Sequence, residues 1–93
     1  MSQISVDLQV IVEKAVSLAE EYITSVWTDE DDHRMMVSFV CEDIKREDLE
    51  KLTNLEDYLD DVKKAYDKFF FTIEFSYIGQ HTLLYSKGGG FEW

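Results

Sequence analysis

The chain has 93 residues and carries 20 Asp plus Glu against nine Lys plus Arg, a formal net charge of −11. That length supports one domain, residues 1–93, and charge of that sign opposes direct binding to DNA, RNA or an anionic membrane. Hydrophobic residues at 45% and aromatics at 14% exclude a disordered acidic tail, which would be poor in both.

Residues 6–27 read as an amphipathic helix. At 100° per residue, Leu8, Ile11, Val12, Ala15, Val16, Leu18, Ala19, Tyr22, Ile23 and Val26 share one half of the wheel. Ser5 is the expected N-cap. The acidic run Asp29, Glu30, Asp31 and Asp32 then reads as a solvated loop. Met35 to Glu42 alternates as a strand.

The next helical stretch, 44–68, breaks phase near Thr53. Leu55, Tyr58, Leu59, Val62, Ala65 and Tyr66 share a face that does not extend back through Leu49 and Lys51. Two helices are therefore expected, at about 44–52 and 54–68, with Thr53 and Glu56 as a capping box. If the strands on either side are parallel neighbours, this helical crossover between them should be right-handed.

Phe69 to Ile78 alternates as a strand, with Phe69, Phe71, Ile73, Phe75 and Tyr77 on one side. Gly79-Gln80 suits a two-residue hairpin turn. His81 to Ser86 is the expected return strand, placing Phe75 opposite Leu84 and Tyr77 opposite Thr82. Phe70, Ile78, Leu83 and Tyr85 would then form an outward apolar face, the best argument for an interface that is not purely electrostatic. Lys87 and three glycines lead into residues 87–93, a Gly-hinged aromatic tail bearing Phe91 and Trp93. The expected fold is α+β, in the order α-β-α(α)-β-β: a three-stranded sheet whose C-terminal antiparallel hairpin packs on helices.

Motifs for chemistry are sparse. An EF-hand begun at Asp29 puts Arg34 where glycine is required and Val40 where a bidentate Glu is needed. Gly88-Gly89-Gly90 has no following helix to hold phosphate. Cys41, the lone cysteine, alternates with core residues, and His33 and His81 sit in turn-like segments. No catalytic, cofactor-binding or metal-ligating residue is assigned, and an enzyme is not expected. A single cysteine, no basic-then-apolar leader and no apolar run of about 20 residues make the cytoplasm the expected compartment.

The carboxylates carry the functional expectation. Glu42, Asp43, Glu47, Asp48 and Glu50, then Glu56, Asp57, Asp60 and Asp61, form a stripe. Carboxylates three or four apart on a helix lie about 5–6 Å from each other, near the spacing of phosphates along a strand. In size and charge alone the chain is similar to bacterial immunity proteins against nuclease toxins, and to phage proteins that disable restriction or CRISPR nucleases. That likeness implies an inhibitor of a basic, nucleic-acid-handling protein. Asp29, Glu30, Asp31, Asp32, Glu47, Glu50, Asp57 and Asp61 would steer the encounter. Tyr85, Phe91 and Trp93 would anchor the desolvated centre. The alternative is an adaptor that dimerises through the hairpin face.

Overall fold

The computed structural model describes residues 4–30, 34–77, 79 and 82–93. Among these the chain forms helices α1 (Val6–Leu18) and α2 (Thr53–Ala65), a 3-10 helix (Arg46–Leu52), and strands β1 (Ser25–Glu30), β2 (Met35–Val40), β3 (Phe69–Glu74), β4 (Thr82–Ser86) and β5 (Gly90–Phe91). The strands make one mixed sheet in the order β3-β2-β1-β4-β5. The α+β class is as expected; the sheet is larger and differently ordered.

Helix α1 starts as its sequence dictates. Ser5 Oγ accepts the Leu8 N–H at 3.3 Å, and Leu8, Ile11, Val12, Ala15 and Val16 are buried. It ends nine residues before the expected Trp27. Its last turn holds no basic residue, and Glu20 and Glu21 follow, where negative charge opposes the helix dipole. Tyr22 to Thr28 is instead rich in β-branched and aromatic residues, which favour a pleated, half-buried strand. Its later part becomes β1, antiparallel to β2 with Val26 opposite Phe39 and Thr28 opposite Val37. Asp29 and Glu30 are therefore strand residues rather than loop; Asp31, Asp32 and His33 lie outside the described residues.

The phase break at Thr53 is real but has a different form. The 3-10 helix runs straight into α2, whose N-cap is Leu52 with no side-chain capping bond. The Thr53 hydroxyl donates to the Glu50 carbonyl at 2.6 Å, so the expected capping box does not form. The crossover brings β3 parallel to β2. Met35 N–H donates to Lys68 C=O at 2.9 Å and Cys41 N–H to Glu74 C=O at 2.8 Å, one bond at each end of the pair.

The expected hairpin is overturned. β3 and β4 are separated by β2 and β1, and β4 pairs antiparallel with β1. Gly79 does adopt a positive φ of 81°, but the connection that holds it joins strands that are not neighbours. Between Val26 and Trp27 the register slips by a bulge. The bulge lets consecutive Leu84 and Tyr85 both be buried, at 1% and 7% exposure. Tyr85 is thus a core residue, not part of an outward face. The tail is a fifth strand: Gly88 and Gly90 take φ of 93° and 80°, and Phe91 pairs with Tyr85.

Alternation assigns the two sheet faces. Val26, Val37, Phe39, Phe69, Phe71, Ile73 and Tyr85 pack with the buried stripes of α1 and α2. The opposite face carries Ser25, Trp27, Ser38 and Thr72. Its polar groups are paired: Trp27 Nε1–H donates to Ser25 Oγ at 2.8 Å, and the Thr72 hydroxyl to Ser38 Oγ at 3.2 Å. Tyr77, from the β3–β4 connection, stacks on Trp27 with ring centroids 4.9 Å apart.

Candidate interaction surfaces

Three exposed surfaces stand out, and each follows from an element just described. The first is the acidic surface of the 3-10 helix and α2. Glu47, Glu50, Asp57 and Asp61 are all exposed, as are Glu42, Asp43, Glu56 and Asp60. Along this surface the one ion pair among the described residues is Lys51 Nζ to Asp48 Oδ1 at 3.2 Å. Its hydrogen bond to Asp48, then one to Tyr22, pushes the Lys51 pKa up. An exposed pair of this kind is screened by solvent and adds little to stability. Lys45, Arg46, Lys51, Lys63 and Lys64 offset part of this charge, and the surface keeps a net negative field. Asp29 stands apart from it. It is half-buried and pairs with Met36 at the start of β2, whereas Glu42 and the 3-10 helix follow the end of that strand.

The second surface is the aromatic tail. Phe91 packs on Tyr85 at 4.9 Å and Trp93 on Phe91 at 5.1 Å. Trp93 Nε1–H donates to Glu13 Oε2 on α1 at 2.8 Å. The tail is tied back onto the fold with one flank of Phe91 and Trp93 still open. Tyr85 lies beneath it and cannot reach a partner.

The third surface was not visible from the sequence. β3 is an edge strand, and a shallow groove runs between it and α2, lined by Glu56, Leu59, Asp60, Phe71, Ile73 and Phe75. Phe75 is 52% exposed. The only sequence signal was the Phe69, Phe71, Ile73, Phe75 alternation, which was assigned to a paired strand.

Reactive groups are few. Among the described residues no three of His, Cys, Asp and Glu are grouped to hold a metal ion, and His33 and His81 lie outside those residues. Cys41 is fully buried, and desolvation pushes its thiol from the ordinary 9.0 up to about 11. Such a thiol stays protonated at neutral pH and is a poor nucleophile.

This shift has a measurable consequence. The fold holds the Cys41 proton after the unfolded chain has released it. The stabilisation is complete below pH 9 and is lost as pH rises through 9 to 11. Urea unfolding between about pH 8 and 11 should show an alkaline loss of about 2–3 kcal/mol that the Cys41→Ala variant lacks. Tyr58, whose hydroxyl burial also pushes up, titrates in both proteins and cancels in the difference. Equal alkaline slopes would place the thiol in contact with solvent.

In class the protein is a small α+β domain built on a five-stranded mixed sheet, with an acidic helical surface and an open β-edge. No helix among the described residues is long and apolar enough to cross a membrane. No protein-family model matches the chain, and neither a curated protein nor a solved structure matches it at a significant level.

Proposed function

We propose that this is a small acidic binding protein that blocks a basic, nucleic-acid-handling protein, in the manner of an immunity protein or a phage counter-defence protein. The observation that carries this reading is the run of exposed carboxylates along the 3-10 helix and α2, with a single ion pair among them. Evenly placed carboxylates can stand in for a phosphate backbone, accelerate encounter with a basic surface and reject acidic ones. Phe91 and Trp93, half-buried and held by Tyr85 and Glu13, offer aromatic area at the β5 edge of the sheet. Tyr85 is withdrawn from that role. The alternative, an adaptor dimerising through a hairpin face, loses the hairpin on which it stood.

The test uses the product of a gene adjacent to this one as the candidate target. Its nuclease or DNA-binding activity should fall on addition of this protein, with an association rate that drops steeply as salt rises. Alone, the protein should leave a labelled duplex and a labelled single strand unshifted in a gel. A shift at low micromolar concentration, or a target bound equally fast at all ionic strengths, would overturn the electrostatic mechanism.

A further inference from the structure

We infer that the outer edge of β3, which pairs with no other strand among the described residues, pairs with the same edge of a second copy of this chain, antiparallel, to make a continuous sheet across a two-fold axis. The proposal does not rest on the identity of any other partner.

The first ground is the strand itself. In a parallel ladder, alternate residues turn their main-chain groups toward the neighbour. Lys68 and Glu74 give their carbonyls to β2. By alternation Phe70 and Thr72 also face β2, and Phe71 and Ile73 turn N–H and C=O to the open side. Four of the six residues of β3 are apolar and one is charged. The opposite edge of the sheet, β5, has two residues. Proteins commonly blunt an exposed edge with charge, a bulge or a cover, because unpaired main-chain groups template another strand. Within β3 no residue before Glu74 is charged, Lys63 and Lys68 lie over only its first two rings, and its register with β2 is regular throughout.

The second ground is charge, and it selects the occupant. α2 runs antiparallel to β3. Its N-terminal half puts Glu56 and Asp60 beside Ile73 and Phe75 in the groove. Its C-terminal half puts Lys63 beside the start of β3, with Nζ 5.5 Å from the centre of the Phe70 ring. Lys68, just before the strand, lies over Phe69 at 5.1 Å. One end of the edge thus carries Glu56, Asp60 and Glu74, and the other Lys63 and Lys68 against the single Asp67. An extended basic segment from another protein would match the first end and be repelled by the second. A second copy laid antiparallel matches both, since each lysine end meets the other copy's carboxylate end. That is the self-complementarity a two-fold interface requires. An axis through Thr72 would set Phe71 of each copy opposite Ile73 of the other, with about four main-chain hydrogen bonds between those residues. The two grooves would close over Phe71, Ile73 and Phe75. Long-range repulsion between two chains of net charge −11 is screened beyond about 8 Å at physiological salt, leaving the local pairs to set the geometry.

Sedimentation equilibrium on the full chain, in about 0.15 M salt, should show a concentration-dependent dimer. Ile73→Pro removes an outward N–H without removing a bond to β2, and should weaken dimerisation at least roughly tenfold. Two charge variants test the same edge without touching the strand. Lys63→Glu with Lys68→Glu reverses the basic end, and Glu56→Lys with Asp60→Lys reverses the groove carboxylates while leaving Glu74 in the strand. Each should be monomeric alone, and the two mixed should form a heterodimer. Circular dichroism confirms that each variant is folded; if the proline variant is not, the charge pair decides. A wild-type chain that is monomeric up to roughly 200 μM would overturn the proposal. So would a charge variant that still dimerises, or a mixture of the two that does not associate.

Discussion

Phe39→Ala should cost about 3–5 kcal/mol of folding free energy, the largest stability effect expected of a single substitution here. Phe39 is fully buried in β2, between Val26 of β1 and Ile73 of β3, with its ring centroid 6.3 Å from that of Phe71. It sits where the buried stripes of both helices meet the middle of the sheet, so the cavity left behind has rigid walls and does not collapse. A domain of this size holds about 5–10 kcal/mol in total, and each kcal/mol moves the midpoint by roughly 4–8 °C. Thermal unfolding of the variant should therefore begin near ambient temperature. Phe75→Ala, at a 52% exposed position on the groove rim, should shift the midpoint far less. A loss below about 1 kcal/mol at Phe39 would be incompatible with a core centred on the β1-β2-β3 register.

The same register explains what the sequence could and could not disclose. α1 is legible because Leu8, Ile11, Val12, Ala15 and Val16 fit a helical period. Tyr22, Ile23 and Val26 also fit that period, yet they are β-formers and follow Glu20 and Glu21, whose charge disfavours a helix end. Extending the helix through them concealed β1. With β1 concealed, Phe69–Ile78 was the strand nearest in sequence to 81–86, and a hairpin followed from Gly79-Gln80. The concealed β1 accounts for the strand order and one missing strand; the other is β5, whose two residues are too few to show alternation. Ile78, Gln80 and His81 lie outside the described residues.

The site was legible to a different degree. Exposed carboxylates declare themselves through composition and helical phase, and Glu47, Glu50, Asp57 and Asp61 are all on the surface. Tyr85 was misplaced because strict alternation cannot anticipate a bulge; Leu84 and Tyr85 share the core only through the slip at Val26/Trp27. The edge groove was invisible for a tertiary reason. Whether Phe71 and Ile73 present free main-chain groups depends on which strand lies beside β3, and no local pattern encodes that.

Replacing Glu47, Glu50, Asp57 and Asp61 together by Lys should slow association with a basic partner by about 10–100-fold at low ionic strength. The fold should tolerate it. All four are exposed, and none belongs to the Lys51–Asp48 pair. The carboxylate in the first turn of α2 is Glu56, which is retained, and Asp61→Lys near the C-terminal end follows the helix dipole. Unfolding free energy should stay within about 1 kcal/mol of the unmodified protein. The steep fall of the wild-type on-rate with salt should flatten in the variant, because the field being screened is gone. Trp93→Ala separates steering from anchoring. It removes aromatic area and the bond to Glu13 but no net charge, so its effect on a folded protein should appear in dissociation. Stopped-flow association at several ionic strengths, with thermal melts in parallel, reads all three proteins. A folded quadruple variant that associates as fast as wild type would remove the 3-10 helix and α2 from the mechanism. Recognition would then have to run through the Asp29 end of the sheet or the Phe91–Trp93 tail, where a charge change on α2 has no reach beyond a Debye length.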